Sequence, residues 1–113
     1  MEQGPFPAPP LAVQGPWPNP VGAAGATWQL FLREAGTVEA RLFDVRGRRR
    51  LTFDLGERPA TGPENDPDSR PQVWAWHPDQ DPDQGGAALS SGVYWWEFRS
   101  GQARSIRKMV LVR

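Results

Sequence analysis

The sequence has no cysteine and only one lysine, one histidine and one tyrosine, and its formal net charge is zero. Without cysteine, the chain has neither a disulfide framework nor a thiolate metal site. Without net charge, it has no global field that attracts nucleic acid or an anionic membrane. No apolar run approaches the roughly 20 residues that a membrane helix needs. The sequence therefore predicts no nucleic-acid partner and no transmembrane segment.

A signal peptide is also missing from the first residues. Residues 1–5 have neither the basic n-region nor the apolar h-region of such a peptide. An exported protein would need its signal on an upstream segment. We therefore expect this chain to be a C-terminal part of a longer protein.

What the sequence does have is proline, glycine and tryptophan. Thirteen Pro and twelve Gly break long helices, because Pro lacks an amide donor and clashes with the preceding helical turn. Six Trp and five Phe supply a core for a chain of 113 residues, which is the length of one domain. This composition favours a single all-β domain.

The prolines are concentrated at the N-terminus. Seven of them lie within the first 20 residues, followed by the glycines of 22–25. Proline favours extended polyproline backbone, and glycine adds flexibility. We predict a disordered Pro/Gly-rich linker over residues 1–25 and a folded domain over residues 26–113.

Apolar residues alternate with polar ones after residue 26, as in half-buried strands. Strands are predicted at 27–33, 37–45, 49–55, 72–77, 93–98 and 106–112. Arg46-Gly47 is typical of a hairpin turn, since Gly accepts a positive φ. The predicted core residues are Trp28, Leu30, Leu42, Phe53, Trp76, Tyr94, Trp96 and Leu111.

The order of five short motifs is more specific than any one of them. In chain order they are Pro18-Asn19-Pro20-Val21, Phe43-Asp44-Val45-Arg46-Gly47-Arg48, the strand from Val73 to Trp76, Ser91-Gly92-Val93-Tyr94, and the segment from Lys108 to Arg113. Over residues 18–113 this order resembles the C-terminal sorting domain of type IX secretion substrates, and the related immunoglobulin-like domain of flagellar hook-capping proteins. The family usually has an Asp-Gly turn where this chain has His77-Pro78.

The resemblance implies an immunoglobulin-like antiparallel β-sandwich of about seven strands after the linker. It also implies a non-enzymatic module, recognised by the outer-membrane type IX machinery and located at the cell surface or secreted through the periplasm. The positions that match the family's motifs are Pro18, Asn19, Pro20, Asp44, Gly47, Gly92, Tyr94 and Lys108. We expect Lys108 and the last strand to carry recognition by edge addition.

Two other functions fit the sequence. A structural immunoglobulin-like domain, hook-capping or adhesin-like, would assemble with neighbouring domains of a larger protein. A carbohydrate-binding module would use exposed Trp rings, for which Trp17 and Trp95 are the candidates.

The remaining polar clusters are weaker candidates for chemistry. Asp79, Asp81 and Asp83 alternate as in a calcium loop, but Ser90 occupies the twelfth position, where a bidentate Glu is needed. Arg46 and 48–50 form a basic cluster without interleaved aromatics, and His77 has no nucleophile at a telling spacing. We expect no enzyme activity and no cofactor.

Overall fold

The computed structural model describes residues 10–78 and 89–113, which form seven β-strands and, within those ranges, no helix. The strands are β1 (Leu11–Gly22), β2 (Gly25–Leu32), β3 (Gly36–Phe43), β4 (Arg49–Arg58), β5 (Gln72–Trp76), β6 (Gly92–Ser100) and β7 (Ala103–Leu111). The predicted all-β class is confirmed. In this part of the chain no helix has the length and apolar character to cross a membrane.

The seven strands follow the order β4-β3-β6-β7-β1-β2-β5. They form one continuous sheet, in which β1, β2 and β5 make one layer, β4, β3, β6 and β7 make the other, and the pairing of β1 with β7 joins the two. Non-consecutive strands pair in both layers, as in Greek-key sandwiches. All pairs are antiparallel except β1 with β7, which meet in parallel at Val21 and Leu111. That one parallel contact was not part of the sequence-based prediction.

Strand β1 corrects the predicted linker. Residues 11–22 are not disordered: Leu11, Val13 and Val21 are buried, and β1 pairs with β2 and then with β7. The prolines of this strand cannot donate to a ladder. They are tolerated because register breaks separate Gln14 from Trp17 and Trp17 from Gly22. The folded domain therefore begins before residue 26, and residues 1–9 lie outside the described ranges.

The core lies between the two layers and is dominated by tryptophan. Trp28, Trp76 and Trp96 are fully buried, and Trp74 packs against them half-buried. Of the eight predicted core residues, all are buried except Phe53, which is half-buried against the same cluster. Period-two alternation is the reason the prediction succeeds, because successive strand residues face opposite sides.

The loop between β4 and β5, residues 59–71, is bound to the β1–β2 layer. Thr61 donates its backbone amide to the Leu32 carbonyl at 2.8 Å, and its hydroxyl oxygen accepts from the Leu32 amide at 2.9 Å. Gln14 Nε2 donates to Glu64 Oε2 at 3.0 Å. The pairing of β2 with β5 ends at Leu30, which is opposite Gln72. Thr61 then takes the place of a strand partner for Leu32.

Candidate recognition site

The hairpin between β3 and β4 is held by the Asp44 carboxylate. Its Oδ1 accepts from the backbone amides of Arg46 and Arg48 at 2.9 and 3.0 Å. Its Oδ2 lies 3.1 Å from Arg48 Nε and 3.5 Å from Arg50 Nη1. Gly47 has a φ of +79°, which explains why the turn carries glycine. Arg48 and Arg50, two cations of the basic cluster, therefore pair with the carboxylate that stabilises the turn.

These contacts also set the charge state of Asp44. Burial by itself would raise the pKa of this carboxyl group. Hydrogen bonds from the backbone amides of Arg48 and Arg46, together with the Arg48 guanidinium and its charge, outweigh burial and hold the pKa below its ordinary value of 3.8. The ionised Asp44 carboxylate therefore stabilises the folded hairpin.

Tyr94 forms a bond that is typical of immunoglobulin-like sandwiches. Its ring is buried, and its hydroxyl donates to the Ser90 carbonyl four residues upstream at 2.7 Å. A tyrosine near the start of the sixth strand that bonds back to preceding backbone resembles the tyrosine corner of immunoglobulin domains. Strand β6 occupies this position, between β3 and β7.

Three further contacts join the start of β6 to the ends of β7 and β1. Asn19 Oδ1 accepts from the Val110 amide at 3.1 Å, and the Val112 amide donates to the Val21 carbonyl at 2.8 Å. The Arg113 amide donates to Ser91 Oγ at 2.8 Å. We call this region, residues 18–21, 44–48, 90–94 and 110–113, the hairpin end.

All the family-motif positions except Lys108 fall within the hairpin end. Asp44, Gly92 and Tyr94 line one polar depression there. Crowding does not require a glycine at position 92. A Cβ at this position would meet only Tyr94 Cε1, at 3.9 Å, which is an ordinary contact.

Lys108 lies outside this cluster, on the outward face of β7 opposite Trp95. The expectation that the last strand offers a free edge is wrong. Strand β7 has β6 on one side and β1 on the other, and the Arg107 guanidinium donates to the Val13 carbonyl of β1. The outermost strands are β4 and β5.

A group of apolar residues lies on the outward face of β3, β6 and β7, and of its members only Trp95 was predicted from the sequence as a surface residue. Phe43 and Trp95 are register partners and half-buried, while Val45 and Ile106 are 68% and 51% exposed. They line one shallow depression together with Glu97. We call these four apolar residues the Trp95 patch. The available signal was the adjacency Trp95-Trp96, which puts one ring on each face of a strand.

The other candidate groups do not form a site in the described part of the chain. Asp79, Asp81 and Asp83 lie outside the described residues. Within 10–78 and 89–113, no group of three or more His, Cys, Asp or Glu residues is arranged to hold a metal ion. Trp17 is 48% exposed, as expected for a surface ring, and His77 is half-buried at the end of β5.

Comparison of the chain with protein-family models, with curated proteins and with solved structures gave no match.

Proposed function

We propose that this chain is a non-enzymatic sorting or anchoring module of an exported bacterial protein, recognised by the outer-membrane type IX secretion machinery. One observation carries the proposal. Seven of the eight motif positions, all except Lys108, are spread from Pro18 to Tyr94 in the sequence and lie on successive neighbouring segments at the hairpin end, beside residues 110–113. A surface assembled from distant parts of the chain exists only in the folded domain, as a folded export signal requires.

Several contacts at the hairpin end explain why these residue types suit such a surface. Asp44 orders a turn whose arginines face solvent, and Asn19 caps a backbone amide of β7. The result is a polar surface with few internal degrees of freedom. Recognition by a preorganised surface loses less conformational entropy than recognition of a flexible tail.

The second candidate is a structural immunoglobulin-like domain that assembles with neighbours, and the Trp95 patch supports it. Apolar groups on an outward sheet face are typical of contact surfaces. Carbohydrate binding has less support, because four of the six Trp pack in or against the core and Trp17 and Trp95 are the two left at the surface.

An export assay tests the sorting proposal. The full chain is fused behind a signal peptide and a reporter, and expressed in a host that has type IX secretion. We expect the reporter at the cell surface, and we expect Lys108→Ala to reduce its surface fraction. Arg70→Ala, which removes an exposed cation from the loop between β4 and β5, is the matched control.

The outcome separates the candidates. A reporter that stays in the periplasm with the unchanged chain refutes sorting, and the assembly domain then takes its place. Protease resistance of the periplasmic fusion shows that the domain is folded in either case. A surface fraction that Lys108→Ala and Arg70→Ala lower equally would refute a specific role for Lys108.

A further inference from the structure

The Trp95 patch lies on a single rung that crosses four strands. Register pairs join Arg49 of β4 to Phe43 of β3, directly after a register shift that leaves Arg50 unpaired, and then join Phe43 to Trp95 of β6 and Trp95 to Lys108 of β7. Directly paired residues of neighbouring strands share a face of the sheet. The rung therefore has a cation at each end and two aromatic rings between them. Ile106 and Val45 lie on either side of it.

The carboxylates near this rung are already paired within the domain. Glu97 Oε2 lies 3.3 Å from Arg104 Nη1, and Glu39 Oε1 lies 2.7 Å from Arg41 Nε. Asp44 is held by the hairpin, as described above. These acids have little negative charge left to offer a ligand.

The cations of the rung have no such partners. Across residues 10–78 and 89–113, no carboxylate lies within ion-pair distance of Arg49 or Lys108, and both residues are exposed. Exposed apolar surface between unneutralised cations is complementary to a ligand with an apolar centre and flanking carboxylates.

The spacing of the rung constrains that ligand further. Arg49 and Lys108 are separated by three interstrand distances of about 4.8 Å, or about 14 Å in all. An extended chain advances about 3.3 Å per residue, so about four residues span this distance. In an extended chain, residues i, i+2 and i+4 also point to the same side.

We infer that this rung binds an extended acidic protein segment that crosses the strands. An apolar side chain at its centre lies on Trp95, between Val45 and Ile106. Carboxylates two residues before and two residues after it contact Arg49 and Lys108. The recognised pattern is acid-x-apolar-x-acid. This inference does not depend on the sorting proposal, because an assembly domain would use the same surface.

A second copy of this chain fits the rung less well. Two copies related by a twofold axis through the Trp95 patch would bring Arg49 of one copy toward Lys108 of the other. Like charges brought together across an interface oppose association. The acidic segment has the opposite charge and is the occupant that the surface favours.

The test is a selection of random twelve-residue peptides, displayed on phage, against the full chain. We expect enriched peptides to carry two acidic residues four positions apart with an apolar residue midway. The tightest peptide is then synthesised, and its Kd is measured by fluorescence anisotropy. Arg49→Glu and Lys108→Glu should each weaken binding about tenfold, and Arg70→Glu should leave the Kd unchanged.

A second pair of variants tests the apolar contact. Ile106→Ser should weaken binding, whereas Val73→Ser, which removes a similarly exposed side chain (58%) from the other layer, should not. Unchanged circular dichroism and thermal midpoints verify that the variants fold.

Three outcomes would overturn the inference. The first is no enrichment over an unrelated protein, and the second is enriched peptides that bind Lys108→Glu and Arg49→Glu as tightly as the wild type. The third is a surface already occupied, seen as a dimer in sedimentation that Ile106→Ser dissociates, or as glycan binding that Ile106→Ser abolishes. Export in the fusion assay is scored separately, so either proposal can fail without the other.

Discussion

The indole ring of Trp28 meets that of Trp96 edge to face across the two layers, with ring centroids 5.6 Å apart and an interplanar angle of 70°. Trp28 lies on β2, and Trp96 lies on β6 two residues after Tyr94. In antibody domains a disulfide joins the corresponding strands, and its second Cys follows the corner tyrosine by two residues. In this cysteine-free chain an aromatic pair joins the layers instead.

The two indoles differ in their hydrogen bonding, and this predicts unequal effects of the same substitution. Trp96 Nε1 donates to Met109 Sδ at 3.3 Å, whereas the buried Trp28 Nε1 has no acceptor among the described residues. Removing an unsatisfied buried donor recovers its desolvation cost. Trp28→Phe should therefore destabilise the domain less than Trp96→Phe, by about 1–2 kcal/mol. Urea unfolding of the two variants measures the difference, and equal losses would contradict it.

Asp44→Asn should alter how stability depends on pH. Because the folded pKa lies below the ordinary value of 3.8, the ionised carboxylate favours folding. That contribution is fully present above about pH 3.8 and is lost as the pH falls through the folded pKa. The wild type should thus exceed Asp44→Asn in stability at pH 6, and the difference should shrink toward pH 2.

Urea unfolding between pH 2 and pH 6 checks this expectation. Asp68→Asn removes an exposed carboxylate from the loop between β4 and β5 and controls for the change in net charge. A stability difference between Asp44→Asn and the wild type that stays constant over this range would refute the role assigned to the Asp44 charge.

The two motif glycines should respond differently to alanine. Gly47 has open space around its Cα but a φ of +79°, so Gly47→Ala should cost about 1–2 kcal/mol of backbone strain. Gly92 has no positive φ, and its added Cβ makes only one ordinary contact. Gly92→Ala should change stability by less than about 0.5 kcal/mol. Thermal and urea unfolding test the pair, and comparable losses at both positions would be the contrary result.

Tyr94→Phe isolates the corner hydrogen bond. The ring stays in the core, and only the bond to the Ser90 carbonyl is removed. The expected loss is about 1 kcal/mol, the usual net value of such a bond. An unchanged unfolding midpoint in urea would mean that water replaces the bond without cost.

Local patterns in the sequence predicted much of the fold. Alternation placed Trp96 and Leu42 on the buried face, and turn chemistry predicted the hairpin at Gly47. The same reasoning failed for β1, because proline removes the donors by which a strand is usually judged. What orders β1 is its pairing with β2 and β7, and the β7 partner lies some 90 positions away along the chain.

The candidate surfaces were also predicted only in part, because some of their residues become neighbours only through long-range strand pairing. Asp44 was named only because it matches a position of the family motif, whereas the turn itself was predicted from Arg46-Gly47. The rung that contains Trp95 could not be predicted, because register across four strands decides which side chains are neighbours. A shift of one residue would move Trp95 to the core face.

The parallel contact between β1 and β7 also determines how the domain would respond to force. Parallel strands start at the same end of the domain, so a pull on both termini draws β1 and β7 past each other lengthwise. The Val21–Val112 bond, the Asn19–Val110 bond and the Arg107–Val13 bond are then loaded together. Bonds loaded together must break together, whereas bonds peeled from one end break singly. We therefore expect this domain to resist a pull along its length more strongly than a domain whose terminal strands peel apart.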